Sequence, residues 1–342
     1  MNKNISKNKF FLNSKKNLIV IIGIFFICVI SFFIKLAMAN LENKFLLKNN
    51  KTLILIGQDK ESIDEYIDSV SLVPSGFMVY TSIQNMDGLF YESKNYGAGI
   101  NYANYHIQKH PNTVIQLGLY MVGALEDVLN GKYNQNIKKL ATWITEADIP
   151  VYLRIGYEFD GQHNNYDSEK YKKVYKYIVE MLNAQNINNV SYVWHSQGFL
   201  NEDKDIMDWY PGDEYVDWFG ISYFHLYHEQ DRIFIALLAK KHNKPLMIAE
   251  ATPYGFDIKD GEKIWTRWFK RVFQFIEKHE VGMFCYINTN WDEQRMWKGQ
   301  GWGDTRIQQN NYIKNKWLKE MQKPKYYHSP SNFLNNKKVI LE

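Results

Sequence analysis

IPVYLRIGYEFDG, residues 149–161, decides the fold. Its first half is apolar apart from Arg154, and its end turns polar at Tyr157-Glu158 and Asp160-Gly161. Such a run reads as a buried strand that delivers an acidic residue at its C-terminal end. A carboxylate in those surroundings is costly unless it is partnered or used. The next pattern, SEKYKKVYKYIVEMLNAQ (168–185), places Tyr171, Val174, Tyr175, Ile178 and Leu182 at three- and four-residue steps, which predicts an amphipathic helix. Strand and helix together make one βα unit.

The same unit recurs on both sides. Towards the N-terminus come TVIQLGLYM (113–121) with NQNIKKLATWITEAD (134–148), GFMVYTSI (76–83) with the helical NYANYHIQKH, and TLILIGQ (52–58) with ESIDEYIDSV. Asp87-Gly88 and Gly97-Ala98-Gly99 mark turns in the longer loop after 76–83. Towards the C-terminus come VSYVWHS (190–196), YVDWFGISYF (215–224) with DRIFIALLAKKH (231–242), KPLMIAEA (244–251) with GEKIWTRWFKRVFQFIEKH (261–279), and VGMFCYIN (281–288) with QNNYIKNKWLKEMQ. Eight strand runs alternating with helical runs predict an α/β fold, a closed parallel (β/α)8 TIM barrel over residues 52–322. An open doubly wound sheet would carry a glycine-rich phosphate loop after its first strand, and Gly57-Gln58-Asp59 is not one. Residues 323–342 read as a polar tail.

Upstream of the barrel the composition changes. Residues 18–34, LIVIIGIFFICVISFFI, are uncharged and lie between Lys16 and Lys35. About 20 apolar residues cross a bilayer, with about 17 at the low end, and the stretch to Ala39 extends the run. Lys3, Lys7, Lys9, Lys15 and Lys16 precede it with no acidic residue, which places residues 1–17 in the cytoplasm. The expectation is a transmembrane signal-anchor over 18–39, a linker over 40–51, and a barrel outside the cytoplasm at the cell membrane. Ala37-Met38-Ala39 also resembles a cleavage site, so a removed signal peptide is the alternative. The formal net charge of +4 comes from this end, and residues 36–342 carry −2, which argues against a nucleic-acid partner. Two cysteines, Cys28 and Cys285, give no disulfide framework. His225 and His228 have an HxxH spacing but lack the glutamate of a zinc-protease helix, so neither a metal nor a cofactor is expected.

Barrel active sites lie at the C-terminal ends of the strands. That rule singles out Glu158, ending the fourth strand run, and Glu250, ending the seventh. Two carboxyl groups about 5–5.5 Å apart across a glycosidic bond are the equipment of a retaining glycosidase. One protonates the leaving oxygen and the other attacks the anomeric carbon. Arg154, four residues before Glu158, is expected on the same side of its strand, keeping a carboxylate ionised or oriented. A structural Arg–Glu pair in the barrel core is the competing reading.

RIGYEFDG, YVWHS, WYPGDEYVDWFGISYF (209–224) and KPLMIAE, in that order and spacing, resemble glycoside hydrolase family 26, a member of the large (β/α)8 retaining glycosidase clan. The family contains β-mannanases and some β-glucanases and xylanases. The resemblance implies that Glu158 is the acid/base and Glu250 the nucleophile. Tyr157 departs from the family pattern, which usually has His there. Phe224 stands four residues after Gly220, where the pattern tends to carry Tyr. Those positions touch the nucleophile or the sugar's 2-hydroxyl, so they bear on which sugar is taken and leave both glutamates in place.

Aromatic residues make up 16% of the chain, which suits sugar stacking or an aromatic-rich core equally. Candidate substrate contacts at the strand ends are Tyr157, Trp194, His195 and Tyr223, together with Arg154. Trp291, Trp297 and Trp302 crowd one loop, and Trp291 and Trp302 are the further candidates. The expected substrate is a β-linked, β-1,4 polysaccharide such as mannan or glucan, or the cell's own exopolysaccharide. An anchored enzyme would then neighbour a glycan synthase or export complex. The rival readings are a non-catalytic carbohydrate-binding barrel and an assembly factor of a polysaccharide export machine.

Overall fold

The computed structural model describes residues 44–200 and 203–329. Residues 18–39, the expected membrane anchor, lie outside the described residues. Among the described residues no helix is long and apolar enough to cross a membrane.

Eight parallel strands close into a barrel: β1 (Thr52–Gly57), β2 (Gly76–Ser82), β3 (Val114–Tyr120), β4 (Val151–Ile155), β5 (Val190–Ser196), β6 (Trp218–Tyr223), β7 (Leu246–Ala251) and β8 (Met283–Ile287). Each pairs with the next, β8 returns to β1, and β1 meets β2 through Leu55↔Gly76 and Ile56↔Phe77. Among the described residues, seven helices of seven residues or more alternate with them: α1 (Lys60–Val70), α2 (Ala103–Lys109), α3 (Asn134–Ala147), α4 (Ser168–Asn183), α5 (Glu229–Lys241), α6 (Lys270–Lys278) and α7 (Asn311–Met321). Asp59 caps α1 and Asp167 caps α4, each accepting a first-turn backbone N–H, so both helices begin where the apolar period does. Among the described residues of the β5–β6 connection there is a 3₁₀ turn, Ile206–Trp209, and no α-helix.

Strand alternation sorts the core into two shells. Leu53, Leu55, Met78, Tyr152, Val193, Trp218, Met247 and Cys285 fill the barrel interior. Ile54, Ile56, Val79, Leu153, Trp194, Phe219 and Tyr223 face outward and pack under the helices.

Two boundaries differ from the sequence reading. Residues 40–51 were expected as a linker, but Phe45 and Leu47 are buried and plug the N-terminal end of the barrel. There Tyr152 donates to the Phe45 carbonyl at 2.8 Å and Trp218 donates to the Lys44 carbonyl at 2.8 Å. The polar tail likewise starts too early at 323. Tyr326–Tyr327 form a further strand, β9, parallel to the start of β1, and His328 bridges back to Pro74. β9 covers Thr52 and Leu53, the part of β1 that β2 does not reach.

Candidate active site

The C-terminal ends of the strands surround a cleft of about 780 Å³. Its wall takes Gln58 after β1, Tyr80 from β2, Tyr120 from β3, Tyr157 and Glu158 after β4, Gln197 after β5, Phe224 and His225 after β6, Glu250 from β7 and Trp291 after β8. Both predicted glutamates therefore line one cleft. A second depression of about 870 Å³, between Asp59, Glu65 and Glu293, holds neither.

Glu158 does not end its strand as expected. β4 stops at Ile155, and the chain then turns through two left-handed residues, Gly156 at φ 59° and Glu158 at φ 49°. A non-glycine residue held there costs roughly 1–3 kcal/mol and persists only where its surroundings impose it. Asn164 supplies that constraint, donating from Nδ2 to the carbonyls of both Tyr157 and Glu158 at 2.9 Å. Asp160 ties the turn to β5, accepting from the Ser196 hydroxyl at 2.6 Å and the Gln197 backbone N–H at 2.8 Å. Burial pushes the Asp160 carboxyl up to about 7 against the pull of those two bonds. The Glu158 carboxyl accepts from Ser222 Oγ at 2.6 Å through Oε1, while His163 Nε2 lies 3.0 Å from Oε2. The hydrogen bond with Glu158 raises the His163 pKa above its ordinary value.

Because of that turn, Arg154 does not pair with Glu158. It is fully buried in the barrel interior and makes its ion pair with Glu250, from Nη1 to Oε1. The rings of Tyr80 and Tyr157 lie 4.9 and 5.2 Å from its guanidinium carbon, within cation–π range. A side chain at Gly118 would fall 2.6 Å from the Tyr80 ring and 2.9 Å from Arg154 Nη2, so glycine there makes room for the pair. Burial raises the Glu250 carboxyl above its ordinary range, Arg154 draws it back, and the Glu158 charge adds to the rise. A guanidinium does not give up its proton, and neutralising Glu250 would leave that cation enclosed without its counter-ion. The pair is therefore ionic.

How Glu250 reaches the cleft is a matter of register. β7 pairs Ile248 with Ile221 but Glu250 with Ser222, one residue out of step, and the register against β8 shifts at the same place. Met247 and Ala249 face inward, so strict alternation would turn Glu250 outward. The bulge re-aims it into the barrel mouth.

Two predicted contacts belong elsewhere. Trp194 is fully buried outside the strands, stacked on Phe159 at 4.4 Å and edge-on to Phe219 at 4.9 Å. Tyr223 packs outward against Trp268 and Phe275, with Arg232 over its ring. Each is one residue out of phase with an inward group, His195 or Ser222, and neither lines the cleft. His195 is buried beneath the cleft, between Arg154 and Ser222. Tyr157, Trp291 and Trp302 do line it. Trp302 lies 4.9 Å from Trp291 and Trp297 lies 5.5 Å from it, while Phe224 and Tyr254 meet Trp302 edge-on, so one wall is a continuous aromatic surface. The sequence reading missed Tyr80, Asn164, His163 and Ser222. Only strand parity could have flagged Tyr80 and Ser222.

Residues 99–291 match the model of glycosyl hydrolase family 26, more than half of the chain. The chain belongs to glycosyl hydrolase family 26. It is a glycoside hydrolase of the family's retaining, two-carboxylate type. A β-1,3-xylanase from an Alcaligenes species is 32% identical over 314 residues, spanning 84% of this chain and 67% of that protein. β-1,3-Xylanase TXYA from a Vibrio species is 33% identical over 308 residues, spanning 82% and 67%. Among solved structures, a family 26 β-mannanase from Bacteroides ovatus, BoMan26A, has the same fold. Its TM-score is 0.65 at 17% identity, over 86% of this chain and 95% of that one.

Proposed function

We propose that this family 26 hydrolase is a retaining endo-β-glycanase with Glu250 as nucleophile and Glu158 as general acid/base, acting on β-1,3-xylan. One observation carries the assignment of roles. Of two buried carboxyls in one cleft, Glu250 is paired with an enclosed cation, and Glu158 is partnered by a hydroxyl and a histidine. An ionised carboxylate is what attack requires, and a carboxyl free to gain and lose a proton is what acid/base work requires.

In the first step a Glu250 oxygen bonds to the anomeric carbon as the bond to the leaving oxygen breaks, and that oxygen takes the Glu158 proton. In the second, water attacks the same carbon, Glu158 accepts its proton, and the Glu250 ester bond breaks. The configuration is retained and both glutamates return to their starting state. The aromatic wall of Trp291 and Trp302 supplies flat apolar faces for sugar rings.

The choice of β-1,3-xylan over the β-1,4 substrates first expected rests on the relatives bearing that name, similar over more than four-fifths of this chain. β-1,4-Mannan is the second reading, supported by the fold shared with a β-mannanase. A tether through residues 18–39 would hold the enzyme at the cell surface, in reach of a glycan synthase or export complex.

The test is product analysis on β-1,3-xylan and β-1,4-mannan, with proton NMR of the first-formed anomer. Net retention is expected, and Glu158→Gln and Glu250→Gln should each abolish most turnover while the fold persists. Initial inversion, or full turnover in either variant, would sink the assignment. Binding without cleavage would favour a carbohydrate-binding barrel.

A further inference from the structure

An unbroken file of buried groups joins the two glutamates. Arg154 Nη1, in contact with Glu250, lies 3.3 Å from His195 Nδ1. His195 Nε2 lies 3.1 Å from Ser222 Oγ, and Ser222 donates to Glu158 Oε1 at 2.6 Å. Arg154, His195 and Ser222 are all fully buried.

Donor and acceptor chemistry leaves this file only one polarity. A guanidinium carries donors and no acceptor, so His195 Nδ1 must accept from Arg154. The imidazole is then neutral, with its hydrogen on Nε2, and donates to Ser222 Oγ. The serine hydrogen remains for Glu158. Burial and the Arg154 cation both push the His195 pKa well below its ordinary value, which agrees with a neutral ring.

We propose that His195 and Ser222 are positioning residues of the hydrolysis: they hold Glu158 Oε1 as a standing acceptor, so that Oε2 is the oxygen that carries the proton to the leaving group. Oε2 is the oxygen beside His163, whose side chain is 57% exposed, whereas Oε1 faces the fully buried Ser222. A proton on Oε1 would turn the Ser222 hydrogen away from Glu158, the acceptor it has in this buried site, and leave a buried donor unpaired. The acid is thereby restricted to one oxygen and one direction. This inference rests on Glu158 being the acid/base.

Two measurements test it. The first needs no substrate. Long-range ¹⁵N–¹H NMR correlation on the histidine-labelled full chain, with His195 identified by its disappearance in His195→Gln, should show a neutral Nε2–H ring that does not titrate between about pH 5 and pH 8. An Nδ1–H ring, or a titrating one, overturns the proposal. The second compares aryl β-glycosides of the short oligosaccharides that the enzyme releases, with phenyl and 2,4-dinitrophenyl leaving groups. In Ser222→Ala, kcat/KM should fall roughly tenfold to a hundredfold with phenyl and less than about threefold with dinitrophenyl, which departs without a proton. Equal losses on both would overturn the positioning role while leaving Glu158 as the acid. A Glu158→Gln variant as active as the parent on the phenyl glycoside would instead overturn the function, and the NMR result would still decide the polarity of the file.

Discussion

Replacing Arg154 by methionine isolates the charge of Glu250, because the chain keeps a long apolar side chain and loses only the cation. Arg154 is fully buried and Glu250 nearly so, with 7% of its surface exposed. Breaking a buried ion pair by removing one partner costs about 3–5 kcal/mol while the other stays charged. Glu250 can avoid that by folding with a proton. At pH 7 an ordinary glutamate, titrating at about 4.3, must then be protonated over roughly 2.7 pH units, or about 3.7 kcal/mol. Both routes converge on a loss of about 3–4 kcal/mol. They differ in pH dependence. The variant's folded state binds one more proton than its unfolded state above about pH 4.3, so its deficit shrinks as pH falls and should be about 1 kcal/mol at pH 5. Where Glu250 takes up that proton, turnover should drop by a factor on the order of 10²–10³, because the carboxylate proposed as nucleophile is then a neutral acid. Urea unfolding at pH 5 and pH 7, with the Arg154→Met/Glu250→Gln double variant recovering most of the loss at pH 7, makes the measurement. A deficit below about 1 kcal/mol at pH 7 would refute the ionic pairing, whereas one of about 3–5 kcal/mol that does not change with pH would mean that Glu250 stays charged in the variant.

Three further outcomes follow from the same geometry. Asn164→Ala removes both side-chain bonds to the left-handed turn, so it should cost about 1–3 kcal/mol and lower kcat with little change in KM; an unchanged kcat would show that the turn holds itself. His163 has its pKa raised by Glu158, so its cation is favoured at low pH and lost as pH rises through the raised value; because a neighbouring cation favours the carboxylate, His163→Gln should move the basic limb of the pH–rate profile upward, and an unmoved limb would separate His163 from the acid. Phe45→Ala, which removes an edge-to-face partner of Tyr152, should cost about 3–5 kcal/mol in urea unfolding; an unchanged stability would mean that Phe45 does not serve as a plug.

The strands were legible because parallel barrel strands are apolar throughout, and each of the eight runs quoted contains the strand observed. The edges failed where burial comes from distant partners. Phe45-Leu46-Leu47 is a run of only three apolar residues between lysines, too short to announce an element, and the open end of the barrel makes Phe45 and Leu47 core. Tyr326 and Tyr327 lie in an otherwise polar stretch and are ordered by the free edge of β1. Neither partner is near in sequence, so no local pattern announces the contact.

At the site, the types of residue were legible and their directions were not. Proximity to a strand end selected Trp194 and Tyr223 along with His195, although alternation sends the first two under the helices and the third into the barrel. Alternation applied strictly would also have gone wrong, since it turns Glu250 away from the cleft. The bulge that restores it is seen only in the register of β7 against its two neighbours, β6 and β8. Arg154 followed the same course: four residues suggested Glu158 as its partner, and a left-handed turn after Ile155 gave it Glu250 instead. Both departures from regular strand geometry fall on the two glutamates themselves. A barrel built by alternation alone would aim every second side chain at its axis without regard to chemistry. The bulge and the turn aim two carboxylates into one cleft, and the strain in the Glu158 turn is held by Asn164 rather than relaxed, as expected where positioning matters more than stability.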